Sequence, residues 1–437
     1  MYFSRLITSL EHSTEEDTHT RKYKRKSEFS FVLLSVCTIF VPRNKNARNM
    51  KNVTETIKYI GCDDADVRLF ESQYKVPEGM SYNSFVILDE KIAIMDTSDK
   101  RTMEQWKANL AEALNGRKPD YLVVHHLEPD HASGLGEVLA LYPDIKIVCS
   151  ARALTMIPQY FPDADLADKA IAVKEGDTLS LGEHTLTFIM APMVHWPEVM
   201  VSYDSKDKVL FSADAFGKFG VMDADPDDWA CEARRYYFNI CGKYGNPVTT
   251  LLQKAAKLDI QQILPLHGPL LKGEQMAEAV RLYNIWGSYG VEAEGVFIAH
   301  ASIHGCTKAA AEMLAEILKK KGCKKVAISD LCREDQAEAI EDAFKYGKVV
   351  LAASSYDAGL FPPMYDFLHH LTIKTWQKRE VALIENGSWA PTAARVMKQM
   401  LEPMKDITIK GDTVTLRGVV KPTDIPALEA LADAILA

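Results

Sequence analysis

The sequence predicts two domains, an N-terminal α+β domain and a C-terminal α/β domain with a doubly wound five-stranded parallel sheet. The chain has 437 residues, which is about three times a typical domain length. Short strand-like segments follow one another closely from residue 56 onward, and this favours antiparallel pairing. After Gly295 strands and helices alternate strictly, which indicates a parallel sheet. We place the boundary at 291–295, with a first domain at 50–293 and a second at 294–437.

In the first domain, the predicted strands are 57–60, 67–70, 84–88, 92–96, 121–124, 145–149, 185–190 and 209–212, with a helix at 135–141. In the second, the predicted strands are 296–299, 326–329, 348–353, 380–384 and 413–419, and the predicted helices are 308–320, 335–344, 364–371, 393–400 and 424–436. The strands are assigned from apolar residues that recur with a period of 2, and the helices from apolar residues that recur with a period of 3.6.

Composition narrows the functional classes. Apolar residues make up 47% and charged residues 25% of the chain, the balance of an ordinary globular protein. The net charge of -9 argues against nucleic acid and anionic membrane as partners. The eight cysteines form no C-x-x-C pair, so we expect reduced thiols and a cytoplasmic protein rather than a disulfide framework or a zinc knuckle.

Residues 1–49 differ in style from the rest of the chain. A basic run at 21–26 precedes an apolar run at 29–41 that is too short to span a bilayer. The order is that of a signal peptide, but the run lies far from Met1 and no small-x-small cleavage site follows. Export or anchoring is one interpretation. We prefer an upstream extension of the reading frame, outside the fold, with the functional chain beginning near Met50 and no stable membrane insertion.

The stretch after the predicted strand 121–124 is rich in potential metal ligands. His126, Glu128, Asp130 and His131 lie within a few residues of one another. They could not all point the same way in a regular strand or helix, so their spacing predicts a tight loop that wraps a cation or a pair of cations.

Three further candidates, His195, Asp214 and His267, each follow an apolar strand-like stretch. Ligands just beyond strand ends gather at one rim of a sheet. Taken alone, each histidine is more often a satisfied or exposed residue than a ligand. The whole set favours a two-metal site built from histidines and carboxylates.

This arrangement resembles the metallo-β-lactamase superfamily, whose H-x-H-x-D-H motif is followed by a histidine, a bridging aspartate and a final histidine. Glu128 replaces the second histidine, which gives the H-x-E-x-D-H form of the flavodiiron proteins. The resemblance implies an αββα sandwich followed by a flavodoxin-like sheet. It also implies iron rather than zinc, because the ligand set shifts toward oxygen donors. The implied ligands are His126, Glu128, His195 and Asp214 for one iron and Asp130, His131, Asp214 and His267 for the other.

Two other histidines of this half are not expected to be ligands. His125 stands where the family often has Asn, and we expect it to help orient a ligand. His184 falls in the predicted turn 182–184, and we expect it to face solvent.

Three loops of the second domain suit a phosphate and a flat ring. The first combines hydroxyls and a glycine with a helix start, as a phosphate requires, although Ser and Thr before a helix are also routine N-caps. All three follow strands at one rim of the predicted sheet. The candidate residues are Ser302, Ile303, His304, Gly305, Cys306, Thr307, Ser354, Ser355, Tyr356, Asp357, Ala358, Gly359, Asn386, Gly387, Ser388 and Trp389.

These loops resemble the FMN-binding loops of flavodoxins and flavodiiron proteins. His304 stands where that family has an aromatic residue, and Cys306 where a polar residue is commoner. The resemblance implies FMN, with Tyr356 or Trp389 stacked on its ring; the alternative is that both are ordinary surface or packing aromatics.

The combined resemblance implies a reductase of O2 to water, of NO to N2O, or of both, at a non-haem diiron site with electrons relayed by FMN. It further implies a head-to-tail homodimer, or a dimer of dimers. Without rubredoxin-type cysteine pairs, we expect an external electron donor such as rubredoxin. The alternatives are a zinc-dependent hydrolase of the metallo-β-lactamase superfamily with an appended flavodoxin domain, and an electron carrier that uses the flavodoxin domain alone.

Overall fold

A computed structural model describes residues 52–164, 166, 168–224 and 228–437. The predicted extension 1–49, with its basic and apolar runs, lies outside the described residues. Within those residues, every helix is too short or too polar to cross a lipid bilayer. The described residues all belong to one contact-defined unit, so the division at 291–295 stays a prediction.

The N-terminal half is rich in strands. They are β1 (Ile57–Tyr59), β2 (Cys62–Asp64), β3 (Leu69–Phe70), β4 (Tyr74–Lys75), β5 (Met80–Tyr82), β6 (Phe85–Leu88), β7 (Ile92–Met95), β8 (Tyr121–Val124), β9 (Lys146–Ser150), β10 (Ala170–Val173), β11 (Thr178–Ser180), β12 (Thr185–Met190), β13 (Met200–Asp204), β14 (Val209–Phe211), β15 (Gln262–Leu264) and β16 (Leu271–Lys272). The helices are α1 (Met103–Leu114), α2 (Pro129–Ala132), α3 (Leu135–Leu141), α4 (Ala151–Tyr160), α5 (Trp229–Ile240), α6 (Gly245–Ala255) and α7 (Gly273–Gly287).

These strands form two large sheets. The first has the order β1-β6-β7-β8-β9-β10, antiparallel up to β7 and parallel beyond it. The second has the order β11-β12-β13-β14-β15-β16. Short hairpins pair β2 with β5 and β3 with β4. The strands predicted near the N-terminus are therefore antiparallel, as their close spacing indicates.

The two sheets pack face to face around one apolar core. Phe85 and Met95 of the first sheet belong to the same buried cluster as Phe188 and Phe211 of the second. Helices α1, α3 and α4 cover the outer face of the first sheet, and α5, α6 and α7 cover that of the second. Strands buried on both faces are almost wholly apolar, as β7 is. The result is the expected αββα sandwich.

The C-terminal part alternates strands and helices. Its strands are β17 (Ala293–Ala301), β18 (Val326–Asp330), β19 (Tyr346–Tyr356), β20 (Gly359–Leu360), β21 (Arg379–Asn386), β22 (Ile407–Ile409) and β23 (Val414–Leu416). Its helices are α8 (Cys306–Lys320), α9 (Gln336–Lys345), α10 (Pro362–Ile373), α11 (Ala393–Leu401) and α12 (Ile425–Leu436). The sheet order is β18-β17-β19-β21-β22, with parallel pairing along it. This is the predicted doubly wound sheet, but it has seven strands rather than five, because β20 pairs antiparallel with β19 and β23 pairs with β21.

The last strand position differs from the prediction of one strand at 413–419. The structure has β23 within this range, paired with the second half of β21, and a further short strand, β22, before the range, paired with the first half of β21. A turn at Gly411 separates them, and its φ of +67° is one that glycine adopts at little cost.

The two halves of the chain meet at helices α5 and α9. The rings of Phe238 and Phe344 stack with centroids 4.1 Å apart. Beside them the buried Arg234 guanidinium donates to both carboxylate oxygens of Glu292, at 2.6 and 2.7 Å, and to Glu341 at 3.1 Å. The Arg234 guanidinium thus pairs with two carboxyl groups where the two halves meet.

Candidate metal centre

All seven predicted metal ligands lie at one rim of the sandwich, in the loops that leave β8, β12, β14 and β15. Each strand positions its ligand because the buried apolar segment ends just before the polar residue. The structure brings the seven into two groups whose donor atoms lie within 4.8 Å of one another.

The first group contains His126, Glu128, His195 and Asp214. Oε2 of Glu128 lies 3.2 Å from Nε2 of His126 and 3.0 Å from Nε2 of His195. Oδ2 of Asp214 lies 3.5 and 3.1 Å from the same two nitrogens. Two imidazoles and two carboxylates therefore converge on one point.

The second group contains Asp130, His131 and His267. Nε2 of His131 and Nε2 of His267 are 3.0 Å apart, and each lies 3.3 Å from Oδ2 of Asp130. The predicted tight loop is here one helical turn, α2, begun by Pro129. Proline at the first helical position favours this turn.

Asp214 faces both groups. Its Oδ2 is directed at the histidines of the first group, and its Oδ1 lies 3.4 Å from Nε2 of His131 and 3.9 Å from Nε2 of His267. One carboxylate with one oxygen toward each group is the geometry that bridges two metal ions.

Several buried oxygens of the centre have no hydrogen-bond partner among the described residues. They are both carboxylate oxygens of Asp130 and both of Asp214. A buried charge without a partner is costly, and such groups in proteins are paired or coordinate metals. The donor set and its orphaned oxygens therefore fit a pair of divalent cations.

The electrostatics of the centre also favour cations. Burial alone would lower the pKa of His126, but Asp214, Glu128 and Glu198 outweigh burial and raise it well above its usual range. Burial, opposed by His131 but reinforced by the Glu128 charge, raises the pKa of Asp130 to about 7. The protein part of the site thus holds an excess of negative charge, which it offsets with protons when no metal is bound.

Sequence reasoning missed Glu198. Its buried Oε1 lies 2.8 Å from Nδ1 of His126 and accepts a hydrogen bond from the backbone N–H of Leu127 at 3.0 Å. A carboxylate behind an imidazole fixes which nitrogen faces the metal. The signal was present, because Glu198 is an acidic residue directly before the apolar stretch that enters β13. Similarly, Nδ1 of His267 lies 2.7 Å from the carbonyl oxygen of Ser81.

His125 and His184 do not behave as predicted. The ring of His125 contacts Asp96 at 2.5 Å and Ser202 at 2.7 Å rather than a predicted ligand, so any effect on His126 passes through the backbone. His184 is fully buried, and the prediction that it faces solvent is wrong. Its side chain turns inward to Thr56 and Asp204.

The first predicted flavin loop lies between β17 and α8. Gly305, at φ +85°, precedes the helix, and an added Cβ there would meet no atom within 4 Å. The hydroxyl of Ser302 is buried and has no partner in the described part of the chain, whereas that of Thr307 lies 2.9 Å from the Ser354 hydroxyl. A free hydroxyl beside a helix N-terminus fits a phosphate.

The other two loops follow β19 and β21 at the same rim. Tyr356 is half-exposed and Trp389 is 91% exposed, so both offer an open aromatic face. The hydroxyl of Ser355 accepts hydrogen bonds from Thr392 and Ala393. The Asn386 amide bonds to the backbone of Gly418 in both directions. Ser355 and Asn386 therefore use their side chains within the protein and offer a ligand their backbone.

Comparison with known proteins supports this reading of the fold. Residues 80–268 match the family described as ODP family beta lactamase. The chain is 28% identical over 383 residues to a nitric oxide reductase of Moorella thermoacetica, covering 85% of this chain and 94% of that protein. It is 27% identical over 363 residues to the anaerobic nitric oxide reductase flavorubredoxin of Escherichia coli, covering 80% of this chain and 74% of that protein.

Solved structures give the same picture. Rubredoxin oxygen:oxidoreductase from the anaerobe Desulfovibrio gigas superposes with a TM-score of 0.83 at 25% identity, covering 89% of this chain and 98% of that one. The flavodiiron protein from Giardia intestinalis superposes with a TM-score of 0.82 at 23% identity, covering 89% and 96%. These two likenesses extend over both the sandwich and the parallel sheet.

Proposed function

We propose that this chain, which belongs to the flavodiiron proteins, is an oxidoreductase that reduces O2 to water, NO to N2O, or both, at a non-haem diiron site supplied with electrons by FMN. The observation that carries the proposal is Asp214, a buried carboxylate with one oxygen directed at each of two ligand groups. The named activities of the relatives, nitric oxide reduction and rubredoxin:oxygen oxidoreduction, support it.

A zinc-dependent hydrolase with an appended flavodoxin domain is not favoured. Glu128 contributes an oxygen donor within 3.2 Å of two imidazole nitrogens, where the resembled hydrolases have a third imidazole. Carboxylate-rich sites suit iron, and histidine-rich sites suit zinc. Two relatives that match 80% or more of the chain carry oxidoreductase names.

We assign the ligands of the two irons by the two groups. His126, Glu128, His195 and Asp214 would hold one iron, and Asp130, His131, Asp214 and His267 would hold the other. When bound, the two irons supply a site where a small gas is reduced, and FMN supplies the electrons singly or in pairs.

The protein's own part is to hold this constellation rigid. Glu198 fixes the Nδ1 side of His126, and the Ser81 carbonyl does so for His267, so both rings present Nε2 inward. The Trp196 ring packs edge-on against the His126 ring at 5.2 Å. An apolar ring beside a metal ligand limits the access of water to the centre.

FMN would sit at the rim of the parallel sheet formed by the ends of β17, β19 and β21. The Ser302 hydroxyl and the start of α8 would receive the phosphate, and Tyr356 or Trp389 would cover the flavin ring. The three predicted flavin loops together form this proposed site.

The remaining features of the proposal concern partners and location. We propose a head-to-tail homodimer in which the FMN of one protomer serves the irons of the other, with a dimer of dimers as a further level of assembly. Reducing equivalents would come from a small external carrier such as rubredoxin, which the name of the Desulfovibrio gigas protein includes. We place the protein in the cytoplasm, in keeping with the free thiols of the cysteines within the described residues.

The test is to purify the chain anaerobically and to measure iron, zinc and flavin per chain together with consumption of O2 and NO by the reduced protein. We expect about two irons and about one FMN per chain, with turnover of at least one gas. Zinc in place of iron, no flavin, or no consumption of either gas would contradict the proposal.

A further inference from the structure

A third group of metal-ligand side chains lies at the other end of β12 from His195. It consists of His184, directly before β12, Asp204, at the end of β13, and Asp207, in the turn that follows. Their donor atoms lie within 4.8 Å of one another. None of the three belongs to the proposed diiron centre.

The two fully buried members face each other without forming a hydrogen bond. Nδ1 of His184 lies 3.1 Å from Oδ1 of Asp204, yet within the described residues neither atom has an aligned partner. Both atoms are therefore available to ligate the same cation. The same 3.1 Å separates Nε2 of His195 from Oδ2 of Asp214 in the candidate diiron centre.

The other heteroatom of each side chain is held by a hydrogen bond. Nε2 of His184 lies 2.8 Å from the Thr56 hydroxyl. Oδ2 of Asp204 accepts from the backbone N–H of Asp207 at 2.9 Å, and Oδ2 of Asp207 accepts from the Thr54 hydroxyl at 2.5 Å. Metal ligands characteristically have their non-ligating atom fixed in this way, as His126 does in the other centre.

We propose that His184, Asp204 and Asp207 bind a divalent transition-metal ion, with zinc as the best fit. One imidazole nitrogen and two carboxylate oxygens are donors that zinc accepts, with water in a fourth position. Imidazole is a poor ligand for calcium and magnesium, which prefer oxygen. The ion would join the turn before β12 to the end of β13 and the turn after it, and it would stabilise this end of the sandwich.

The test uses untagged protein already loaded with iron and flavin. It is titrated with zinc chloride, separated from free zinc, and analysed for iron and zinc per chain by mass spectrometry. We expect about one zinc per chain taken up with the iron retained, and a rise in Tm as zinc is added, because binding to the folded state stabilises it. Zinc uptake only in exchange for iron, or no uptake, would overturn the proposal.

Variants locate the ion. His184→Gln should abolish the uptake. Asp207→Asn, at a less buried position, should weaken it and disturb the fold less. Thr56→Val removes only the hydrogen bond behind His184 and should weaken zinc binding about 10- to 100-fold. His369→Gln removes an exposed histidine of α10 and is the control, with uptake as in the wild type. Equal uptake by the wild type, Asp207→Asn and Thr56→Val would show that zinc binds elsewhere and would refute the site.

Discussion

Glu198→Gln tests whether the buried carboxylate behind His126 sets the iron affinity of the candidate centre. In the structure Oε1 of Glu198 accepts a hydrogen bond from the Leu127 backbone N–H at 3.0 Å and lies 2.8 Å from Nδ1 of His126. Burial alone would raise the pKa of Glu198, but the hydrogen bond and the charge interaction with His126 lower it. The side chain is therefore ionised at neutral pH and polarises the imidazole.

The expected magnitude follows from what glutamine keeps and loses. An amide oxygen can still accept both hydrogen bonds, but it carries no charge. Hydrogen bonds to charged groups contribute about 1.5–3 kcal/mol and neutral ones about 0.5–1.5 kcal/mol. A loss of about 1.4 kcal/mol is a tenfold loss of affinity, so Glu198→Gln should weaken the iron at His126 about tenfold. Glu198→Leu removes the acceptor and should cost about 100-fold.

The assay is competition for iron by a coloured ferrous chelator, under anaerobic conditions, with the iron left in the protein counted at each chelator concentration. The matched control is Glu385→Gln, because Glu385 is also buried and accepts from a backbone N–H, of Ala394, and from the Thr415 hydroxyl, each at 2.9 Å. It lies in the parallel sheet, so iron affinity should not change. Wild-type iron retention in both Glu198 variants would refute the reasoning.

Four further outcomes are expected. Asp214→Asn should lower the content of both irons, whereas Asp130→Asn should lower chiefly one, as counted by metal analysis; equal losses would contradict the bridging role of Asp214. Removal of iron by a chelator should lower Tm, because it leaves buried carboxylates unpaired, and restored iron should restore it. Ser302→Ala should weaken FMN binding about tenfold in a fluorescence titration, since it deletes one hydrogen bond to a charged group; unchanged affinity would place the phosphate elsewhere. Burial, opposed by Arg234, raises the pKa of Glu341 to about 8, above its unfolded value. The contribution of Glu341 to the free energy of unfolding should therefore fall as pH rises from about 5 to 8. Glu341→Gln should flatten that fall, as measured by denaturant unfolding.

The parts of the fold that were predicted from sequence are those that local pattern determines. The apolar runs of β8 and α3 matched their predicted bounds, and the alternation after Gly295 predicted the doubly wound sheet. The metal-ligand candidates were visible because each stands where an apolar strand ends. Such residues can be recognised from the local sequence, without knowing which distant residues they contact.

What was missed depends on contacts distant in sequence. His184 was predicted to face solvent because it lies in a hairpin turn, but Asp204 on the neighbouring strand and Thr56 before β1 receive its ring. Glu198 belongs to no recognisable motif. Its role depends on its contact with His126, which is far away in sequence. The strand β22 was missed because it is short and pairs only with part of β21.

The charge of the candidate diiron centre gives a physical reason for Glu128. Two divalent ions bring four positive charges into a buried site, and buried charge is costly unless it is paired. Glu128, Asp130 and Asp214 supply three negative charges among the proposed ligands, and Glu198, in contact with His126, supplies a fourth. With a histidine at 128 the same pair of ions would keep one uncompensated positive charge. The glutamate would therefore make the site close to neutral with two divalent ions bound.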